Sequence, residues 1–265
     1  LLHRGHAASA LIGFEAARSA GGRFVLRIED IDVTRCRPEF EAAIYADLAW
    51  LGLVWEQPVL RQSDHMADYL AALHQLRAAG LVYRCFKTRR QILDAMPSAP
   101  HGAPEGYRGE RLAAADEAAR LAAGEPFAWR LDLTAAERAA GPLSFFEAGE
   151  GTAGARGVIA VDAGPAGDVV LARKDVGVAY HLAVVVDDAR QAITEVIRGQ
   201  DLFDATHIQR LLQTLLGLPA PRYRHHRLIL GPDGRRLAKR DGAETLRSLR
   251  ARGVTPDELR RALGV

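Results

Sequence analysis

His3-Arg4-Gly5-His6 sets two imidazoles around a glycine, directly before an Ala-rich stretch of helical spacing. This arrangement suits an anion. A helix N-terminus presents unpaired N–H groups and the positive end of the macrodipole, which together attract phosphate. A glycine there lets a flat or bulky ligand approach the backbone, and histidines add hydrogen bonds to phosphate oxygens without a fixed charge. The bland reading is a histidine-flanked helix start with no ligand. Near the other end, Gly234-Arg235-Arg236-Leu237-Ala238-Lys239-Arg240-Asp241-Gly242 reads as a flexible basic loop after a hairpin at Gly231-Pro232-Asp233-Gly234. A lysine on such a loop, Lys239, can neutralise charge building on a transferring phosphate. Taken alone, the loop is equally a surface turn.

These residues need elements to hold them. His6 to Ser19 has helical apolar spacing and ends at Gly21-Gly22; Arg23 to Asp30 alternates as a strand and ends in Glu29 and Asp30. With a next helix over Pro38 to Leu51, this is the rhythm of a doubly wound α/β fold, in which ligands bind beyond the carboxyl ends of the strands. That places Glu29 and Asp30 at the site. A helix over Met66 to Ala79 and a short strand at Leu81 to Tyr83 follow. From Cys85 to Gly157 prolines, glycines and Ala-rich stretches replace the regular alternation, which reads as an inserted smaller domain. Strand signals resume at Val158 to Val161, Val169 to Arg173, Leu182 to Val186 and Glu195 to Arg198, then a helix over Thr206 to Leu216 and a basic helical tail. The expected division is a split catalytic domain (1–84 and 158–216), an inserted α+β subdomain (85–157) and a basic C-terminal region (217–265).

Composition excludes several classes. With 265 residues, 48% hydrophobic and 26% charged, the chain can bury a large core without staples. Two cysteines, Cys36 and Cys85, with no CxxC pair indicate neither a disulfide framework nor a cysteine-rich zinc site and suit a reducing cytosol, hence a cytoplasmic protein. No apolar run is long enough to span a bilayer. Net charge is only +2, yet the last fifth is strongly basic, from Arg222-Tyr223-Arg224-His225-His226-Arg227 to Arg260-Arg261. Such a run is a solvated face or a grip on phosphate or RNA.

Taken together, His3-Arg4-Gly5-His6 resembles the HIGH motif of class I aminoacyl-tRNA synthetases, and Arg236-Leu237-Ala238-Lys239-Arg240 resembles their KMSKS motif. Three intervening blocks resemble the glutamyl branch of that class: Arg27-Ile28-Glu29-Asp30-Ile31-Asp32 with Thr34-Arg35, Asp175 through Tyr180 to Asp187-Asp188, and Val196-Ile197-Arg198-Gly199-Gln200-Asp201-Leu202. The match is closest to the glutamyl-Q tRNA(Asp) synthetases, short paralogues in the branch, because only about two dozen residues follow the lysine loop. The resemblance implies a Rossmann-like doubly wound parallel sheet with an insert of the acceptor-binding type. It implies ATP, carried with Mg2+, as a substrate. It also implies tRNA-independent formation of glutamyl-adenylate, with transfer of glutamate to queuosine in the anticodon of tRNA(Asp) and the RNA loop held by basic and stacking side chains. By the same resemblance His3 and His6 contact ATP phosphates, Gly5 lies against adenine, Lys239 steadies pyrophosphate, Glu29 takes the glutamate ammonium, Arg198 its side-chain carboxylate, and Tyr180 supplies a hydroxyl and one wall. A monomer is expected.

Departures from the family pattern matter too. The chain starts at Leu1, without the strand and Pro-Ser-rich turn that precede the HIGH motif in relatives. Many relatives bind zinc in the insert through a CxC pair, a tyrosine and a later cysteine; here the first pair reads Cys85-Phe86-Lys87, and Cys85 with His101 and Tyr107 makes no four-ligand set, so no zinc is expected. Ala238 replaces a usual serine. Alternatives are a truncated glutamyl-tRNA synthetase, a nucleotidylyltransferase using the HxGH loop, and a non-catalytic RNA-binding relic.

Overall fold

The computed structural model describes residues 1–32, 36–95, 106–173, 177–228 and 244–265. Helix α1 (Arg4–Ser19) buries Ala7 and Leu11 against Leu48 and Leu51, which lie on and just after α2 (Pro38–Trp50), and against Leu246, Leu249 and Leu259 of α9 (Leu246–Ala251) and α10 (Pro256–Leu263). The first and last helices therefore share one core. It fixes the His3 end of α1 beside the start of α9, where the Leu246 N–H donates to the Leu2 carbonyl at 2.9 Å and His3 bridges Thr245.

Three sheets form among the described residues. Strands β1 (Arg27–Ile28) and β2 (Leu60–Arg61) pair in parallel. The expected strand from Arg23 to Asp30 thus has a ladder over two residues only. An antiparallel sheet runs in the order β3 (Val82–Cys85), β4 (Ala128–Leu131), β7 (Val170–Arg173), β8 (Gly177–Val178). The third sheet runs β6 (Gly157–Ala160), β5 (Ser144–Glu147), β10 (Arg222–His226), β9 (Glu195–Gly199), and its β5–β10–β9 part is parallel. Pairing thus crosses the stretch from 85 to 157: its β4 joins β7, and its β5 joins β10. The remaining helices are α3 (Met66–Ala78), α4 (Arg89–Ala95), α5 (Ala114–Ala122), α6 (Leu133–Ala140), α7 (Tyr180–Arg190) and α8 (Phe203–Leu216). Helices α3, α7 and α8 build the larger core through Tyr69, Leu73, Leu182, Val185, Ile208 and Leu212.

The run from Leu182 to Val186 is a helix, α7, and not the buried strand its composition suggested. A continuous apolar run fits either element when every face is covered, and here α3 and α8 cover it. The two acids that follow show why helix wins. Asp187 and Asp188 both reach Arg27, at 3.7 Å and 2.9 Å, whereas consecutive strand residues would point to opposite faces. Asp187 also accepts from Tyr69 Oη at 2.7 Å and Gln62 Nε2 at 2.8 Å, so the buried charge is fully bonded.

Candidate active site

At the head of α1 the two histidines cap the helix reciprocally. His3 is the N-cap, its Nδ1 accepting the Gly5 N–H at 3.1 Å, while His6 Nδ1 accepts the His3 N–H at 3.1 Å. Both Nδ1 atoms are acceptors, so each neutral ring carries its proton on Nε2, a donor suited to a phosphate oxygen. The ring centroids lie 3.7 Å apart. A Cβ at residue 5 would sit 3.1 Å from the His3 ring, so Gly5 is what lets that ring fold over the helix start. One turn on, Ser9 Oγ meets His226 Nε2 at 2.8 Å and ties α1 to β10.

On β9 stands Arg198, 8% exposed. The parallel register pairs it with His225, so both side chains leave the sheet on one face. Its Nε donates to His225 Nε2 at 3.1 Å, Nη1 to Tyr180 Oη at 3.4 Å and Nη2 to Thr206 Oγ1 at 2.7 Å, and the guanidinium lies 5.4 Å from the Tyr223 ring centroid. All three acceptors are neutral. A guanidinium has five N–H groups, so one remains on each terminal nitrogen. No carboxylate among the described residues lies within ion-pair distance of it, although Asp188 feels its field. Burial, then the field of Arg198, lowers the pKa of neighbouring His181 to about 4.

Glu29 sits apart from this group. Its exposed carboxylate takes Arg27 at 3.3 Å and faces a cavity of about 520 Å³ lined also by Asp30, Arg37, Phe40, Glu41 and Arg61. Arg27 links it onward to Asp188 on α7, the helix that begins with Tyr180. Asp30 is structural. Burial pushes its carboxyl up, but the Ser63 N–H at 2.8 Å, Ser63 Oγ at 2.7 Å and Arg61 at 3.2 Å outweigh that and hold it below the usual range.

The structure therefore brings His3 to His6 and Tyr180 to Arg198, and joins Glu29 to α7 through Arg27. Lys239, with Arg236 and Ala238, lies outside the described residues, as does the expected hairpin at 231–234. The described residues on either side of that stretch both meet α1: His226 through Ser9, and Glu244-Thr245 through Arg4 at 3.9 Å and His3. Sequence reasoning missed Glu147, Thr206 and the burial of His225. The signal was in the basic run itself, which alternates outward Arg222 and inward Tyr223 and His225 as a strand does. Several of its cations are paired with acids: Arg224 with Glu195 and Arg227 with Glu150, both at 3.1 Å, and Arg252 with Glu244 at 2.8 Å.

In the insert, Cys85 Sγ lies 3.8 Å from Tyr107 Oη, but Arg130 sits 4.9 Å over the Tyr107 ring and Lys87 at 5.9 Å. Burial, then the adjacent thiol, pushes the Tyr107 phenol up to about 12. Among the described residues no three potential ligands of the His, Cys, Asp and Glu types cluster. His101 lies outside the described residues.

The family model for tRNA synthetases class I (E and Q), catalytic domain, matches residues 1–264. The chain belongs to this family. Class I synthetases of this kind are ATP-dependent ligases, and so is this chain. It is 45% identical over 281 residues to the glutamyl-Q tRNA(Asp) synthetase of Rhodobacter capsulatus, covering 100% of this chain and 96% of that protein. It is 45% identical to the same-named protein of Nocardia farcinica, covering 97% and 78%. A crystal structure of a glutamate tRNA ligase from Elizabethkingia meningosepticum, in complex with its amino acid, superposes with TM-score 0.73 at 28% identity over 91% of this class I chain and 50% of that one. The chain thus spans about half the length of that ligase. The fold is the class I catalytic fold, mixed α/β with parallel strands. Among the described residues no helix is long and apolar enough to cross a membrane.

Proposed function

We propose that the chain joins glutamate to ATP, forming glutamyl-adenylate without tRNA, and passes glutamate to queuosine in the anticodon of tRNA(Asp). One observation carries the glutamate part: among the described residues the buried Arg198 guanidinium bonds only neutral acceptors, which leaves one N–H on each terminal nitrogen. A buried cation without a compensating anion is costly, and a planar fork with two spare donors is matched by a carboxylate. The names of the relatives in R. capsulatus and N. farcinica support the acceptor.

The glutamate α-carboxylate attacks the α-phosphorus of ATP and pyrophosphate leaves; a queuosine hydroxyl then attacks the acyl carbon and AMP leaves. In this reading Arg198 takes the side-chain carboxylate and Tyr180 Oη borders it, Glu29 takes the ammonium, and the Nε2–H groups of His3 and His6 bind phosphate oxygens over Gly5, which lies against the adenine. Lys239 steadies pyrophosphate. Positioning and charge stabilisation supply the rate. ATP arrives with Mg2+, the insert holds no zinc, and the enzyme works as a cytoplasmic monomer. Pyrophosphate exchange with glutamate, glutamine and aspartate, with and without tRNA, tests the first step: exchange with glutamate alone, independent of tRNA, is expected. Labelled glutamate entering queuosine-containing tRNA(Asp) and not tRNA(Glu) tests the second.

A further inference from the structure

The acceptor that Arg198 Nε meets is itself set by another residue. Glu147, the last residue of β5, is fully enclosed, and its two carboxylate oxygens are spoken for: Oε1 accepts the N–H groups of His225 at 2.9 Å and Gly149 at 2.8 Å, and Oε2 meets His225 Nδ1 at 2.6 Å. A carboxylate only accepts, so Nδ1 donates, and the neutral ring must then present a bare Nε2. That bare nitrogen is what receives Arg198 Nε–H at 3.1 Å. The opposite tautomer would set two donors against each other, and an imidazolium would set two cations together. His225 is held flat by Tyr223, whose ring is stacked at 6.3 Å, and edge-on by Phe203 at 5.2 Å. Both burial and the Arg198 charge keep it neutral.

We propose that Glu147 and His225 are positioning residues for glutamate recognition: the Glu147 carboxylate fixes His225 as the Nδ1–H tautomer, whose Nε2 aims the Arg198 fork at the substrate's side-chain carboxylate. This rests on Arg198 being the glutamate-reading residue. Thr206 completes the aim, accepting from Nη2 at 2.7 Å. Neither Glu147 nor His225 touches substrate; both act through the guanidinium, so they govern how well glutamate is held and leave the phosphoryl chemistry alone.

Glu147→Gln tests this. The amide cannot satisfy all its neighbours: with its oxygen toward the backbone N–H groups, its NH2 donates to His225 Nδ1 and forces the proton onto Nε2, against Arg198. Turned over, its NH2 faces two N–H donors. The expected result is a rise of about tenfold in KM for glutamate in pyrophosphate exchange, the loss of one hydrogen bond to a charged group, with KM for ATP and kcat within about twofold of wild type. Nitrogen-15 NMR of the His225 ring is expected to show a protonated Nδ1 and bare Nε2 in the wild-type enzyme, shifting toward Nε2–H in Glu147→Gln. The wild-type spectrum decides the tautomer even if the variant does not fold: an Nε2–H ring or an imidazolium at neutral pH overturns the proposal. So does a switched tautomer with an unchanged glutamate KM, or a loss of all kinetic parameters together with the melting temperature. Arg198→Lys is the control. An unchanged glutamate KM there overturns the reading of Arg198 and this proposal with it; a raised KM there beside an unchanged one in Glu147→Gln overturns the relay alone.

Discussion

Arg198 places a positive charge where the chain offers it an imidazole, a phenol and a hydroxyl, and that no acid among the described residues pairs with it is what gives the residue its meaning. A guanidinium in a structural ion pair would stabilise the resting protein; this one is stabilised when an anion arrives. Replacing it therefore separates binding from folding. Arg198→Met is expected to reduce glutamate-dependent pyrophosphate exchange by about a hundredfold or more, the cost of a lost bidentate charged contact. Its unfolding free energy in urea, without substrate, is expected to stay within about 1 kcal/mol of wild type, because removing a desolvated charge offsets the bonds it made. Saturating glutamate is expected to raise the melting temperature of the wild type and not of the variant. A large loss of stability in the apo protein would mark Arg198 as a structural residue.

At the level of elements, the site depends on how closely β5 leaves the sheet past β10. A Cβ on Gly149 would lie 2.3 Å from the His225 carbonyl oxygen and 2.8 Å from its nitrogen, both backbone atoms that cannot swing aside. Gly149→Ala is expected to push this turn off β10, destabilise the protein by about 1–3 kcal/mol in urea, and raise the glutamate KM through Glu147 while leaving the ATP KM unchanged. The insert has a comparable anchor in buried Asp168. Its carboxylate accepts from Tyr83 Oη and the Gly109 N–H, both at 2.7 Å, and from the Leu133 N–H at 3.0 Å, joining β3, the 106–109 segment and α6. Asp168→Ala would orphan all three donors and is expected to cost about 3 kcal/mol or more, while a chelator is expected to leave the wild-type melt unchanged. The elements also mark what the sequence made legible. The helix start at His3 to His6 could be read from the glycine and the apolar spacing that follows, whereas the reciprocal capping of the two rings emerged only in the structure. Tyr180 meeting Arg198 came only through family resemblance, since nothing local links α7 to β9. The Glu147–His225 contact spans 78 positions and depends on the parallel pairing of β10 with β5, which no periodicity encodes. The helix at Leu182 to Val186 was hidden because burial on all sides erases the pattern that separates helix from strand.

Across the whole molecule, several histidines are held neutral by burial, and this sets how stability varies with pH. Burial lowers His181 to about 4, with Arg198 adding to it; burial also lowers His207, and lowers His225 with Arg198 against the pull of Glu147. Each of these rings binds a proton more readily in the unfolded chain, whose histidines titrate near 6.5. Between about pH 4 and 6.5 the unfolded state therefore holds more protons, and stability rises with pH through that window. For His181 alone the difference at pH 5 is about 2 kcal/mol. Asp188 acts in the opposite sense at the acid end. Burial raises its carboxyl despite Arg27, so the folded state keeps that proton longer and loses stability as pH climbs above the ordinary aspartate value of 3.8. Below about pH 4 the lowered acids, Asp30 and Glu150 among them, withdraw their contributions as they protonate. Urea unfolding at half-unit steps is thus expected to give a stability that climbs from pH 4.5 to 6.5 and levels off above it. His181→Asn, which cannot titrate, is expected to flatten that climb by roughly the 2 kcal/mol assigned to the ring; a slope identical to wild type would mean that His181 takes up its proton in the folded protein as readily as in the unfolded chain, and that neither its surroundings on α7 nor the Arg198 charge holds it neutral.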